Sequence, residues 1–118
     1  MNAIQTEVIR LLESGFCQRH NAVNNEGTSV FAGDPAATAW CLYGANIKAH
    51  IPPGETIVNY GGFYDFREAS EQADKNLDLV KAYLKANRTD PDDDSGIAHY
   101  NDTHTQEEVI AMLREVWA

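Results

Sequence analysis

Two segments near the ends of the chain place apolar residues at the spacing of an amphipathic helix. The first spans residues 3–14, and Gly15 is the expected left-handed stop. The second starts after Thr105, which forms a capping box with Glu108 by spacing. The apolar stripes are Ile4, Val8, Leu11 and Leu12 in the first helix, and Val109, Met112, Leu113, Val116 and Trp117 in the last.

The segment 36–49 is apolar on nearly every side. Asp34 suits an N-cap and Pro35 suits the first helical position, so the sequence predicts a helix over 36–49. A helix without a polar face belongs in the centre of a domain. Gly44 lowers helix stability by about 1 kcal/mol relative to Ala, which indicates that close packing requires it.

A third, longer helical pattern runs from about Phe66 to Ala86. Asp65 and Glu68 have the spacing of a capping box at its start. Its apolar stripe consists of Ala69, Ala73, Leu77, Val80 and Leu84.

Short apolar runs outside these helices predict a little β-structure. Residues 17–23 and 29–32 flank the turn sequence Asn24-Asn-Glu-Gly27, which indicates a small hairpin, and a second short strand is expected at 56–60. The chain is therefore predicted to be mainly α, with α+β as the alternative. The expected architecture is a compact bundle of about four helices with a small β-hairpin or flap. Its 118 residues fit a single domain over 1–118.

Charge and composition narrow the range of partners. The net charge is −9, and thirteen of the eighteen acidic residues follow residue 60. Because binding to a phosphate backbone depends on Lys and Arg, direct nucleic-acid binding is disfavoured. An acidic surface suits a basic protein partner or a divalent cation.

The apolar stretches are far shorter than the roughly 20 residues that cross a membrane. Residues 1–15 lack the layout of a signal peptide. Two cysteines are too few for a disulfide scaffold. We therefore expect a cytoplasmic protein with reduced thiols and no membrane contact.

Cys41 is the nucleophile in one interpretation of the sequence, with His99 as the base and Asn101 or Asp102 as the orienting group. Cysteine hydrolases do use this chain order. In the predicted helix, however, Cys41 lies six residues after Pro35, beyond the first turn in which a helix dipole activates a thiol. A buried, unreactive core residue is the favoured interpretation.

Asn101 and Asp102 lie between a short apolar run and the last helix. They are interpreted either as bonding backbone groups of the turn or as facing a ligand. The last helix already has its own capping box. We therefore expect at least one of the two to bond another element, the loop around Asp34.

No metal or cofactor is expected. His99, Asp102 and His104 are the local candidate ligands, but they lack the helical spacing of a zinc protease. The segment 90–94 begins like a calcium loop, yet its sixth position is Ser95 and its twelfth is Asn101, where that loop requires Gly and Glu.

Aromatic residues around Gly61 and Gly62 suggest either a binding groove or a lid on the core. The candidate binding residues are Tyr60, Phe63, Tyr64, Asn101 and Asp102.

Four motifs resemble a family of uncharacterised bacterial and phage proteins that is catalogued as a domain of unknown function. The motifs are Asp34-Pro35, Ala39-Trp-Cys-x-x-Gly-Ala45, Ile97-x-x-Tyr-Asn-Asp102 and Glu107-Glu-Val-Ile-x-x-Leu113. The resemblance implies no activity. Its genomic context implies an intracellular effector or inhibitor.

The leading hypothesis is a small acidic protein-binding module without enzymatic activity. A phage- or prophage-encoded inhibitor of a host system fits this description. The alternative is a cysteine-dependent hydrolase that uses Cys41, His99 and Asp102.

Overall fold

The computed structural model describes residues 1–51, 62–87 and 96–118, with side chains in the second range described from Glu68 onward. Within these ranges the chain forms six helices and three two-residue strands, so the prediction of a mainly α protein with a small β flap is confirmed. The elements are α1 (Ala3–Ser14), β1 (Ala22–Val23), β2 (Ser29–Val30), β3 (Ala39–Trp40), α2 (Leu42–Ala49), α3 (Gly62–Asn76), α4 (Asp78–Asn87), α5 (Ile97–Thr103) and α6 (Gln106–Val116).

Helix α1 has the predicted bounds but ends differently. Gly15 is extended, with φ −179° and ψ 133°, so the predicted left-handed stop is wrong. Glycine is needed here for space, because a Cβ on Gly15 would lie 2.2 Å from the backbone oxygen of Thr38. The N-terminus is closed by a capping box between Asn2 and Gln5.

The predicted hairpin is confirmed and gains a third strand. The antiparallel sheet has the order β2-β1-β3, with Ala22 opposite both Val30 and Trp40. A parallel bridge pairs Phe16 with Trp40 on the other side of β3. The sheet therefore connects the end of α1 to the start of α2.

The predicted helix over 36–49 is wrong in its first half, since β3 occupies 39–40 and α2 starts at Leu42. Asp34 caps a turn instead of a helix: its carboxylate accepts from Ala36 N (2.8 Å) and its carbonyl accepts from Ala37 N (3.0 Å). The apolar run that follows satisfies its backbone in the sheet.

The predicted helix over 66–86 is divided in two at Leu77, whose N–H is shared between the carbonyls of Ala73 (3.0 Å) and Asp74 (3.2 Å). The break lets α3 pack on α2 and lets α4 pack on α5 and α6. The predicted cap at Asp65 is also wrong, because α3 already begins at Gly62.

The predicted turn at Asn101 and Asp102 is wrong, because both residues belong to the seven-residue helix α5. The capping box of α6 is confirmed: Thr105 Oγ1 accepts from Glu108 N (3.2 Å) and Glu108 Oε1 accepts from Thr105 N (2.9 Å).

Helix α2 lies in the centre of the fold, as predicted. It packs against α1, α3, α5 and β3, and Leu42, Gly44, Ala45, Asn46 and Ile47 are all buried. A Cβ on Gly44 would lie 1.8 Å from the backbone oxygen of Asn21, which confirms that close packing requires glycine. The predicted strand at 56–60 lies outside the described residues.

Candidate functional site

Residues 17–21 form a loop, called the 17–21 loop, that joins Phe16 to β1. Hydrogen bonds connect this loop to elements that are distant in the sequence. The Gln18 side-chain amide donates to the backbone oxygens of Asn101 (3.1 Å) and His104 (3.0 Å). The backbone oxygen of Asn21 accepts from Cys41 N (3.1 Å). These bonds hold the loop against α5 on one side and the start of α2 on the other.

Arg19, in the middle of this loop, has a left-handed backbone with φ 70°. Its N–H donates to Asp102 Oδ1 (2.8 Å). This conformation is unfavourable by about 1–2 kcal/mol for most L residues and is relaxed for glycine. Since the Arg19 side chain is exposed, local stability alone would favour glycine at this position.

Asn101 connects α5, α2 and the 17–21 loop. Its Oδ1 accepts from Leu42 N (2.8 Å), and its Nδ2 donates to Cys17 O (3.1 Å) and to Asp102 Oδ1 (3.1 Å). Only 2% of Asn101 is exposed. It caps a free N–H at the start of α2, a group that would otherwise be buried without a partner.

The prediction that Asn101 or Asp102 bonds another element is therefore confirmed, but the loop around Asp34 is the wrong partner. The error follows from the position of α2. Its first N–H groups begin at Leu42 and lie next to α5 instead of at Ala36.

Cys41 is the N-cap residue of α2, so its predicted position in the middle of a helix is wrong. Its Sγ accepts from Gly44 N (3.2 Å), and the thiol donates to Asn21 Oδ1 (3.9 Å). The residue is 9% exposed, as the core interpretation predicted. Burial raises the pKa of the Cys41 thiol, although the N–H groups of Gly44 and Tyr43 oppose this shift.

Cys17 lies beside Cys41 across the parallel bridge between Phe16 and Trp40. Its thiol donates to His20 O (3.4 Å). The pKa of the Cys17 thiol is raised from 9.0 to about 11. Burial is the largest cause, and the negative charges of the Cys41 thiolate and of Asp102 raise the pKa further. Both thiols are therefore protonated at neutral pH.

This shift gives a testable pH dependence for Cys17. The rate of iodoacetamide modification of native Cys17 should rise tenfold per pH unit up to pH 10 without levelling, because only the thiolate reacts. The same measurement in urea should level near pH 9. Because the folded state favours the neutral thiol, its contribution to stability is complete below pH 9 and is lost as the pH rises towards 11. A native rate that levels below pH 9 would contradict the assignment.

A cleft of about 1140 Å³ opens beside the 17–21 loop. Its walls are Arg19–Asn21, the start of α2, the C-terminal half of α4, and α5. It brings together Cys41, His99 and Asp102, the three residues of the hydrolase interpretation. Of the candidate binding residues, Asn101 and Asp102 line it, Tyr60 lies outside the described residues, and the side chains of Phe63 and Tyr64 do as well.

The cleft is richer in basic groups than the acidic chain as a whole. Arg19, Lys81 and Lys85 line it, together with His20, His99 and His104. Its two lining carboxylates are engaged: Asp74 is 3.6 Å from the ammonium of Lys81, and Asp102 bonds Arg19 N. Among the described residues, no carboxylate lies within 4 Å of the Arg19 guanidinium or the Lys85 ammonium.

One wall of the cleft is stiffened by an aromatic stack. The rings of Tyr100 and His104 are 3.7 Å apart and 16° from parallel. His104 Nδ1 also lies 2.8 Å from Tyr100 O. These contacts fix the position of the His104 ring at the C-terminal end of α5.

Arg19 and Lys85 are not among the candidate residues that the sequence predicts. Neither residue belongs to a motif, and the left-handed conformation of Arg19 has no sequence signal, because arginine is not a residue that favours it. Within residues 1–51, 62–87 and 96–118, no three His, Cys, Asp or Glu side chains lie close enough together to hold a metal ion. The acidic segment 90–94 lies outside these ranges.

No helix of the described residues combines the length and hydropathy required to cross a bilayer. No curated protein and no solved structure matches the chain. A family model described as "Family of unknown function (DUF6197)" matches residues 3–118, and the chain belongs to this family.

Proposed function

We propose that this protein is a non-enzymatic binding module and that its recognition surface for a protein partner is the cleft between the 17–21 loop, α2, α4 and α5. The observation that carries the proposal is the way this cleft is built. Gln18, Asn101 and Asp102 fix its walls through bonds between distant segments, while Arg19 and Lys85 remain exposed at its surface. Because these bonds already fix the walls, little backbone entropy is lost when a partner binds.

The dimensions of the cleft favour a protein segment over a small molecule. Small-molecule sites are mostly apolar cavities of roughly 300–1,000 Å³ that enclose the ligand. This cleft is slightly larger, at about 1140 Å³, and 11 of its 19 lining residues have charged, imidazole or amide side chains. A peptide segment or loop of another protein can match such a surface. A phage- or prophage-encoded inhibitor of a host system is the role that best accommodates this mode of action.

A cysteine hydrolase is the second candidate, because Cys41 lies at a helix N-terminus on the same cleft as His99 and Asp102. Three observations weigh against it. The Cys41 sulfur is used as a helix cap, and burial raises the pKa of its thiol. Leu42 N donates to Asn101 Oδ1, so this backbone N–H next to Cys41 is not available to stabilise an oxyanion.

Photo-crosslinking tests the proposed surface. A photoreactive amino acid replaces Lys85, which is exposed on the cleft side of α4. The control carries the same group at Glu107, which is exposed on α6 and lines a separate groove. In cells of the source organism, we expect the variant at position 85 to form one dominant protein adduct, and an excess of unmodified protein to suppress it.

The adduct partner is then purified, and its affinity for the unmodified protein is measured by calorimetry. Saturable binding that is blocked by crosslinking at position 85 supports the proposal. Equal adducts from both positions, or no binding by the purified partner, would contradict it.

A further inference from the structure

We infer that the basic residues lining the cleft receive an anionic group of the partner protein, a carboxylate or a phosphate; this rests on the proposed function. This anion site consists of Arg19, His20 and Lys85, whose side chains are exposed, and His99 on helix α5, all of which line the cleft. It is a local reversal of charge on a chain whose net charge is −9.

The interactions of the cleft show that two of its basic groups, Arg19 and Lys85, are available for an anion. Asp102 lies nearest to the 17–21 loop, but its Oδ1 already accepts from Arg19 N and from Asn101 Nδ2. Asp74 is paired with Lys81. The guanidinium of Arg19 and the ammonium of Lys85 have no carboxylate partner among the described residues. An incoming carboxylate or phosphate can pair with a guanidinium through two parallel bonds.

The backbone of Arg19 points to the same conclusion. A left-handed conformation is unfavourable for arginine, and the structure holds it there through Asp102 Oδ1 and the two bonds of Gln18. The exposed side chain of Arg19 lines the cleft. Glycine would relieve the strain, whereas arginine supplies a cation at the cleft.

Peptide binding tests the charge preference directly. Fluorescein-labelled octaglutamate, octaglutamine and octalysine are titrated against the full chain, and amide NMR shifts locate the contact. We expect octaglutamate to bind at least about tenfold more tightly than the other two and to shift Arg19, His20 and His99. The affinity should fall between about 0.01 M and about 0.15 M ionic strength.

Two further arms complete this test. A phosphoserine peptide of the same length shows which anion is preferred: tighter binding than octaglutamate assigns a phosphate, and weaker binding assigns a carboxylate. Residues 88–95 carry four aspartates, and their negative charge repels octaglutamate. The titration is therefore repeated with all four replaced by asparagine. Failure of octaglutamate to bind either protein, or stronger binding of octalysine, would overturn the inference.

Arg19→Gly separates binding from folding. This variant should weaken octaglutamate binding at least about tenfold. Its Tm should stay the same or rise by roughly 3–5 °C, because the strained residue is gone. The matched control is Arg10→Ala, which removes the same charge from an exposed position on α1 and should change affinity less than about twofold.

Lys85→Ala keeps the inference testable if Arg19→Gly does not fold. Lys85 is exposed on α4 and takes part in none of the hydrogen bonds that hold the 17–21 loop. Its loss should therefore weaken octaglutamate binding about threefold without changing Tm. Unchanged binding in both variants would overturn the inference.

The outcomes distinguish this inference from the proposed function. If the protein partner crosslinks at position 85 and binds Arg19→Gly as tightly as wild type, the proposed function stands and the anionic site is wrong. If octaglutamate binds as described but no protein adduct forms, the site is an anion site and the protein-binding function is wrong.

Discussion

Asn101→Ala is expected to lower the free energy of unfolding by about 2–6 kcal/mol. The substitution leaves Leu42 N and Cys17 O without their partner in a site where Asn101 is 2% exposed. Each buried polar group without a partner costs about 1–3 kcal/mol. Urea denaturation followed by circular dichroism measures the change.

Asn87→Ala is the matched control. This asparagine is exposed at the end of α4, where Tyr83 O (2.8 Å) is the one acceptor of its amide among the described residues. We expect a change of less than about 0.5 kcal/mol. If Asn101→Ala is as mild as Asn87→Ala, then Asn101 does not hold α5 against α2 and the 17–21 loop, and the ligand-facing interpretation regains support.

Gly44→Ala is expected to lower the free energy of unfolding by about 3 kcal/mol, although Gly→Ala stabilises an exposed helix by about 1 kcal/mol. The reason is steric. The added Cβ would lie 1.8 Å from Asn21 O and 2.6 Å from Asn21 C, and backbone atoms cannot move aside as a flexible side chain can. Either α2 or the 17–21 loop must shift, which also breaks the bond from Cys41 N to Asn21 O.

Gly27→Ala provides the comparison for this steric effect. A Cβ on Gly27 meets nothing within 4 Å, but its φ of 78° is unfavourable for alanine. A loss of only about 1–2 kcal/mol is therefore expected. Gly44→Ala should also alter the amide NMR shifts of the 17–21 loop, whereas Gly27→Ala should not. A smaller loss for Gly44→Ala than for Gly27→Ala would show that α2 and the loop are not in close contact.

Local sequence signals predicted the two terminal helices well because those helices are closed by their own side chains. The capping box of Thr105 and Glu108 lies within one turn, so it acts regardless of the surrounding fold. The apolar stripes of α1 and α6 also face the core in a simple helix pair. In these segments, local preference and tertiary packing agree.

The start of α2 was mispredicted because its signals have two physical outcomes. Asp34 followed by Pro35 initiates a helix or an Asx-type turn, and both satisfy the same local N–H groups. Contacts with distant residues determine that the helix starts at Leu42. Trp40 pairs with Phe16 and Ala22 in the sheet, and Leu42 N donates to Asn101. No pattern within residues 34–42 contains that information.

The candidate site was predicted only in part for the same reason. The surplus of polar groups before the last helix correctly indicated that Asn101 and Asp102 bond another element. The cleft itself is formed by four segments that are separated in the sequence, so only the fold shows that Arg19, Lys85 and His99 line the same cleft. The N-cap position of Cys41 likewise depends on where α2 begins.

We propose that the cleft binds a protein and that Cys41 acts as a helix cap instead of a nucleophile. The most direct test uses the purified crosslinking partner with wild-type protein and with Cys41→Ser, which retains a side-chain cap. Calorimetry should give equal affinities within about twofold, and intact-mass spectrometry should show an unchanged partner in both mixtures. A partner whose mass changes with wild-type protein but not with Cys41→Ser would contradict the non-enzymatic binding function and establish the cysteine hydrolase.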